Sequence, residues 1–443
     1  MRSSIVSVDL ERARKRSWPG RLALLMFIAW FWAILRYTYV FQISPVYDYA
    51  GLRLHEHPAW VDYTMFLLTL VVGSALPMSG KRASDWAVVL LFMSLVVPVT
   101  SLWPVMLDLE PFTLVAWGVL LVLGFAALAI SATWIRIPVR GPDRVPCSPS
   151  LFWGMVGVAL LLGICGEMYL MGWRLNLDWA SQYDRRMESR EVVPDGSAMA
   201  YMQVILRSIL IPLGAIGLFA FKRWLLAVPL LVAVVAMFSL DGSKAVLFIP
   251  TAIGLVCAVM HVPESRRVFC FAACFPLVVT AAAMEFHLLG SDWLNATFVR
   301  RVFAIPAQLT WAHFDWLFNE GPRWFAGCQL GAFWGTRDDV ASPRLVGLVY
   351  MNNIETNANA NIWASGAIEL GALGVIITGL IAGCILAYIN TVRSHASPVV
   401  RVLGAVLCGY IWTQQALHTS LLSSGIALFC VLLLVIPELE EGK

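Results

Sequence analysis

Charged side chains are scarce in this chain. Of 443 residues only 13% are Asp, Glu, Lys or Arg, while 59% are hydrophobic and the mean hydropathy is +0.75. A soluble domain carries about 25% charged residues, so a soluble class is excluded and most of the surface must face lipid. Alternating ten-residue segments are missing as well, which excludes a membrane β-barrel. No Cys-x-x-Cys or His-rich metal spacing occurs, and seven of the nine cysteines (Cys165, Cys257, Cys270, Cys274, Cys384, Cys408, Cys430) lie in or beside apolar runs. Cys147 sits in a basic loop and Cys328 in a long one, so small hydrophobic thiols are expected, with no metal, no cofactor and no disulfide framework. Internal repeats are lacking, which counts against a transporter built from duplicated halves.

What remains is a series of apolar runs long enough for a hydrocarbon core of about 30 Å. Lipid satisfies no backbone group, so those runs must be helices. The predicted fold is an all-α integral membrane protein with about twelve spans, near 20–43, 60–78, 86–104, 111–134, 151–172, 200–221, 224–240, 245–261, 268–288, 366–390, 399–416 and 420–437. Trp60, Trp86, Trp103, Trp134, Trp153, Trp173 and Trp224 fall at span ends, where an amphipathic ring suits the headgroup region.

The net charge of +3 is uninformative as a sum, but its distribution sets the topology. The start is basic (Arg2, Arg12, Arg14, Lys15, Arg16, Arg21) and leads into an apolar run with no cleavage site, so an uncleaved first helix with a cytoplasmic N-terminus is expected. Alternate turns then carry Lys81 and Arg82, Arg136, Arg140 and Arg144, Lys222 and Arg223, Arg266 and Arg267, and Arg393. All fall on one side, as the positive-inside rule requires. The organisation that follows is a basic tail over 1–19, spans over 20–172, a loop at 173–199, spans over 200–288, a large loop at 289–365, spans over 366–437 and a tail at 438–443. Both termini are cytoplasmic and both long loops are extracytoplasmic.

Those two loops carry arginines on the side that should be poor in positive charge. In the first, residues 172–197, Arg185, Arg186 and Arg190 stand close together, and in a helix Arg186 and Arg190 would share a face. Like charges at that spacing destabilise a helix by a few tenths of a kcal/mol, and an anion between them would reverse the sign. Guanidinium forks match phosphate oxygens in pairs; a solvated helix with Arg185 paired to Glu188 is the plainer alternative. In the second, adjacent Arg300 and Arg301 are backed by an apolar stripe of Phe298, Val302, Ile305 and Leu309. That pattern predicts short amphipathic helices on the membrane surface, with arginines reaching either lipid phosphate or a substrate. Lys244, at the tip of a hairpin, has Asp241 as a local partner, and Arg207 lies inside a span where an ionisable group is costly.

Residues 351–376 begin with a crowd of amides. In an extended backbone Asn357, Asn359 and Asn361 would point the same way, and with Glu355 and Trp363 they offer the acceptors, carboxylate and ring that sugar recognition uses. A polar turn is the alternative. His418 sits at the junction of the last two spans, where a hydrogen-bonded structural role competes with a catalytic one.

Taken in order, QYDRRMESREVVPDGS, FSLDGSK, FVRRVFAIPAQ, NNIETNANAN and LLSSG resemble the O-antigen polymerases known as Wzy, over most of residues 40–435. That family carries an Arg, ten residues, Gly signature in each of two periplasmic loops. Here Arg185 to Gly196 matches it in the first loop, while Arg300, Arg301 and Arg323 all miss it in the second. The resemblance implies a GT-C-like multispan glycosyltransferase with its active site facing the periplasm of a bacterial inner membrane. It would move a growing glycan from undecaprenyl pyrophosphate to the non-reducing end of a new lipid-linked repeat unit. Implied partners are those glycan lipids, membrane lipid, a chain-length regulator, a flippase and a ligase; no nucleic acid is expected.

On this reading Arg185, Arg186, Arg190, Arg300, Arg301 and Lys244 would bind pyrophosphate, and positioned cations suffice to neutralise a departing diphosphate. Glu355, then Glu191, then His418 are the candidates for a general base. Asn357, Asn359, Asn361 and Trp363 would hold glycan, and Gly196 completes the loop signature. A ligase passing glycan to lipid A core and a flippase are the competing expectations.

Overall fold

The computed structural model of the chain describes residues 2–139, 148–170, 176–178, 181, 185, 188–189, 192–193, 197–241, 244–392 and 396–436. Among them there is no strand, and none of the eight described cysteines is in a disulfide. The protein is an all-helical membrane protein. Seven helices are long and apolar enough to cross a bilayer. They are α1 (Gly20–Ala50, continuing a helix that starts at Arg2), α3 (Ala83–Met106), α4 (Pro111–Trp134), α5 (Pro149–Tyr169), α6 (Met199–Phe221), α9 (Glu264–Leu289) and α12 (Ile362–Thr391).

Shorter apolar helices fall on further expected spans: α2 (Ala59–Ser74), α7 (Trp224–Leu240), α8 (Lys244–Met260) and α13 (Pro398–Trp412). The last expected span, 420–437, is not one helix. It is split into α14 (Leu417–Leu422) and α15 (Ile426–Val435), with Gly425 between them at φ +83°. Only glycine adopts that conformation without strain, so a hydropathy window spans a break it has no means of sensing.

Two compact units divide the chain. The first comprises Met1–Ile135, Pro263–Ala387 and Val406–Leu417, and the second Arg136–Val262, Tyr388–Ala405 and His418–Lys443. In the first unit α3 is the core: 94% of its apolar window is buried, against 33% to 44% for α1, α4, α9 and α12. Helices α1, α2, α4 and α9 pack around it, as does α10 (Ile305–Glu320).

Loops that the threading assigns to opposite sides gather at opposite ends of this unit. At one end the Arg21 guanidinium donates to the Ser74 carbonyl, Lys81 lies 3.6 Å from Glu264, and Arg82 donates to the Thr133 carbonyl at 3.1 Å. At the other the His55 N–H meets the Val105 carbonyl at 3.0 Å, Tyr47 donates to Asp292 at 3.0 Å, and Gln308 reaches the Gly51 carbonyl at 3.3 Å.

Proline shapes several of these helices by one device. The turns Tyr39–Ile43, Phe92–Val96, Leu206–Leu210 and Asn295–Ala304 are widened to π geometry, and each is followed two residues on by proline: Pro45, Pro98, Pro212 and Pro306. Proline has no N–H for the carbonyl four residues back, and its ring crowds that carbonyl. Widening the preceding turn relieves the crowding without ending the helix, and such bulges are frequent at functional sites.

Between α9 and α12 lies the large loop, which is folded. Leu309, Ala312, Val346, Ala358, Ala360, Ala364 and Ile368 form a small core that joins α10, α11 (Ser342–Met351) and the start of α12. The expected surface helices exist as helices, but α10 turns its apolar side to protein. Trp103 donates to the Ala307 carbonyl at 2.9 Å, and Phe314 packs against Trp103 and Trp117 with ring centres 6.0 and 6.2 Å apart.

Candidate functional site

The basic pair Arg300 and Arg301 lies in the widened turn before α10, where a π turn redirects successive side chains. Arg301 is exposed. Arg300 is half-buried, with its guanidinium carbon 4.2 Å from the centre of the Tyr47 ring. That cation–π contact contributes about 0.5–2 kcal/mol. The Arg300 Nε–H is buried and finds no hydrogen-bond partner among the described residues. An orphaned donor of this kind costs about 1–3 kcal/mol, which an anionic oxygen beside it would recover. The base of the site is polar and connected. Tyr47 donates to Asp292, the Asn295 amide donates to the Gln42 oxygen at 2.8 Å, and Gln42 and Tyr37 meet His287 Nε2 at 3.2 and 2.9 Å. Asn295 Oδ1 is a second buried atom without a partner.

Arg185 belongs to the second unit and is 5% exposed. Its terminal nitrogens donate to the carbonyls of Asn176 and, at 3.0 Å, Asp178, and its guanidinium carbon lies 5.2 Å from the Phe238 ring centre. Its Nε–H is buried without a hydrogen-bond partner among the described residues. Arg186, Arg190, Glu191 and Gly196 lie outside the described residues. Lys244 is the first residue of α8. His418 opens no long helix but sits in the short α14.

The amide-rich stretch divides differently from the expected alignment. Asn357 and Asn359 are exposed, while the alternate Ala358 and Ala360 enter the small core. Asn361 does not share their face. It is 1% exposed, its amide donates to Thr310 Oγ1 at 2.7 Å, and its oxygen accepts the N–H groups of Trp363 and Ala364, both at 3.0 Å. The side chain caps α12. Trp363 is 0% exposed and packs its ring against Phe125, with 6.1 Å between centres, so it offers no face to a sugar. Glu355 is exposed in a turn closed by its own N–H, which donates to Asn353 Oδ1 at 2.9 Å.

A carboxylate network went unread in the sequence. Helix α12 is interrupted at Gly371, with φ 73° and ψ −163°, which frees carbonyls from the helical ladder. Those of Ile368 and Glu369 accept instead from the N–H groups of Arg323 and Trp324, at 2.8 and 2.9 Å. Glu369, 6% exposed, accepts from Ser342 at 2.6 Å. The Arg323 guanidinium bridges Ser342, Asp338 and the Val340 carbonyl at 2.9, 2.8 and 3.1 Å. Glu369 Oε2 is buried with no hydrogen-bond partner. The available signal was the carboxylate two residues before a glycine inside an otherwise apolar run.

Among the described residues no group of three His, Cys, Asp or Glu side chains is arranged to hold a metal ion. Comparison with family models, with curated proteins and with solved structures gives no match to this chain.

Proposed function

We propose that the protein polymerises lipid-linked oligosaccharide repeat units at the periplasmic face of a bacterial inner membrane. The growing glycan passes from undecaprenyl pyrophosphate to the non-reducing end of a new lipid-linked unit, as in O-antigen synthesis. One observation carries the reading: Arg300, over the Tyr47 ring and beside exposed Arg301, keeps a buried Nε–H with no acceptor among the described residues. Such a donor suits a diphosphate oxygen, to which guanidinium groups bind in planar, charge-assisted pairs. The order of motifs along the chain supports polymer chemistry, and the basic alternate turns support an outward position of the arginine loops. A twelve-span arrangement with both termini in the cytoplasm follows from the same threading.

In the reaction an acceptor hydroxyl attacks the anomeric carbon of the growing glycan. The new C–O bond forms as the bond to the pyrophosphate oxygen breaks, and the leaving group carries away the electron pair. Arg300 and Arg301 offset the charge that accumulates on it. The hydroxyl proton passes to a base, for which exposed Glu355 is the candidate; Asn357 and Asn359 face the glycan. The interruption of α12 at Gly371 favours one competing function, lipid-linked glycan translocation, since discontinuous helices build transporter sites.

Purified protein given lipid-linked repeat units separates the two. A ladder of lengthened products identifies a polymerase, and movement across a vesicle without bond formation identifies a flippase. Arg300→Ala should leave single-repeat product and no long chains. Arg300→Lys, which keeps the charge and loses the planar fork, should recover only part of the length. An unchanged ladder from Arg300→Ala would overturn the assignment.

A further inference from the structure

The first unit contains a pocket of about 400 Å³ where the start of α4 meets the end of α10. Its lining includes Glu110, Ala116, Trp117, Asp315, Phe318 and Asn319. The volume is that of a small-ligand site, and its chemistry has one sign. Glu110 gives one carboxylate oxygen to the Thr113 N–H at 2.8 Å and hydroxyl at 3.2 Å. Asp315 gives one oxygen to the Tyr350 hydroxyl at 2.7 Å and the Asn319 amide at 3.0 Å. The second oxygen of Asp315 makes no hydrogen bond among the described residues, and no lysine or arginine among them pairs with either carboxylate. The backbone N–H groups of Thr113 and Phe112 hold the Glu110 carboxyl below the usual range, which keeps it ionised.

Beside the two carboxylates stands an aromatic pair. Phe318 stacks on Trp117 with 5.1 Å between centres and 14° between planes, yet remains 57% exposed, so ring surface is open to the pocket. Oriented carboxylates next to an open ring repel phosphates and other anions and attract cations, which also bind the faces of aromatic rings. A neutral sugar would use the free acceptors but would leave both negative charges uncompensated.

We propose that this pocket binds a primary ammonium group. Its place on the helix suggests where such a group comes from. Ala116 belongs with Phe112, Val119 and Leu123 to one exposed strip of α4, at the helical spacing of a lipid-facing side. The pocket therefore borders lipid, and the amine belongs either to an ethanolamine headgroup or to an amine-bearing sugar. The proposal stands apart from the polymerase reading, because it needs only the pocket.

The test uses the full-length protein in detergent with two matched probe pairs. Phosphatidylethanolamine is compared with phosphatidylglycerol by retention in native mass spectrometry, and glucosamine with glucose by thermal protection. At least one amine probe should bind about tenfold or more tighter than its amine-free partner. A preference in the lipid pair identifies the headgroup source, and one in the sugar pair the glycan source. The preference should vanish in the Glu110→Gln, Asp315→Asn double variant, whose amide oxygens still accept from Thr113 and Tyr350, and should weaken in Phe318→Ala. Wild-type protein with no amine preference in either pair overturns the proposal, whatever the variants do. So does a preference that survives the double variant.

Discussion

Replacing Asn361 with alanine removes three hydrogen bonds and leaves no substitute for two of them. The N–H groups of Trp363 and Ala364, on residues that are both 0% exposed, lose the oxygen that caps them, while Thr310 merely loses a donor. An N-cap deletion costs about 0.5–2 kcal/mol and each buried orphan donor about 1–3. These overlap, so the expected loss is roughly 2–4 kcal/mol. Asn361→Asp keeps both caps and loses only the bond to Thr310, so it should fall in between. Asn357→Ala and Asn359→Ala, at exposed positions, should stay within about 0.5 kcal/mol of wild type. Unfolding of the purified protein in mixed micelles of rising dodecyl sulfate fraction, followed by tryptophan fluorescence, measures all four. The reasoning fails if Asn361→Ala unfolds at the wild-type midpoint, or if Asn359→Ala loses as much.

The pH dependence of the same unfolding tests His313, which burial pushes from 6.5 down to about 4. Below 6.5 the unfolded chain takes up a proton that the folded site refuses, so stability falls with pH until about 4 and levels off there, a loss of roughly 3 kcal/mol. His313→Gln should flatten that slope, and an unchanged slope would mean another group titrates. In α12, Gly383 abuts the Leu128 carbonyl and Ser131 hydroxyl of α4, and Gly379 abuts the Gly124 carbonyl. Gly383→Ala should therefore cost about 1–3 kcal/mol by forcing the two backbones apart; a wild-type midpoint would show that the helices have room.

Hydropathy and loop charge made the helices legible because lipid leaves the backbone no other option. Seven helices long and apolar enough to cross a bilayer cover expected spans. Breaks were not legible. Gly371 and Gly425 lie in apolar runs that a sliding window reads as continuous, and only their positive φ angles separate them from the packing glycines Gly379 and Gly383. Residue type was a poor guide to the direction a side chain takes. The period-two pattern aligned Asn357, Asn359 and Asn361, and it held until the chain entered α12, where Asn361 turned inward as a cap.

The same distinction explains why arginines were read more easily than carboxylates. A basic residue in an extracytoplasmic loop violates the charge rule and draws notice. Glu110, Asp315 and Glu369 violate nothing by position, and their importance lies in what does not surround them. Glu369 Oε2 is buried without a donor, although Arg323 stands close enough to bond the same Ser342 hydroxyl. Arg323 is itself spent on Asp338 and the Val340 carbonyl, and the N–H groups of Arg323 and Trp324 close the carbonyls freed at the break in α12. The donors of Arg323 and Trp324 thus have acceptors already, while Glu369 Oε2 keeps an open position. The loop is fastened at the break by these polar bonds, and α10 turns part of its aromatic surface to Trp103 and Trp117.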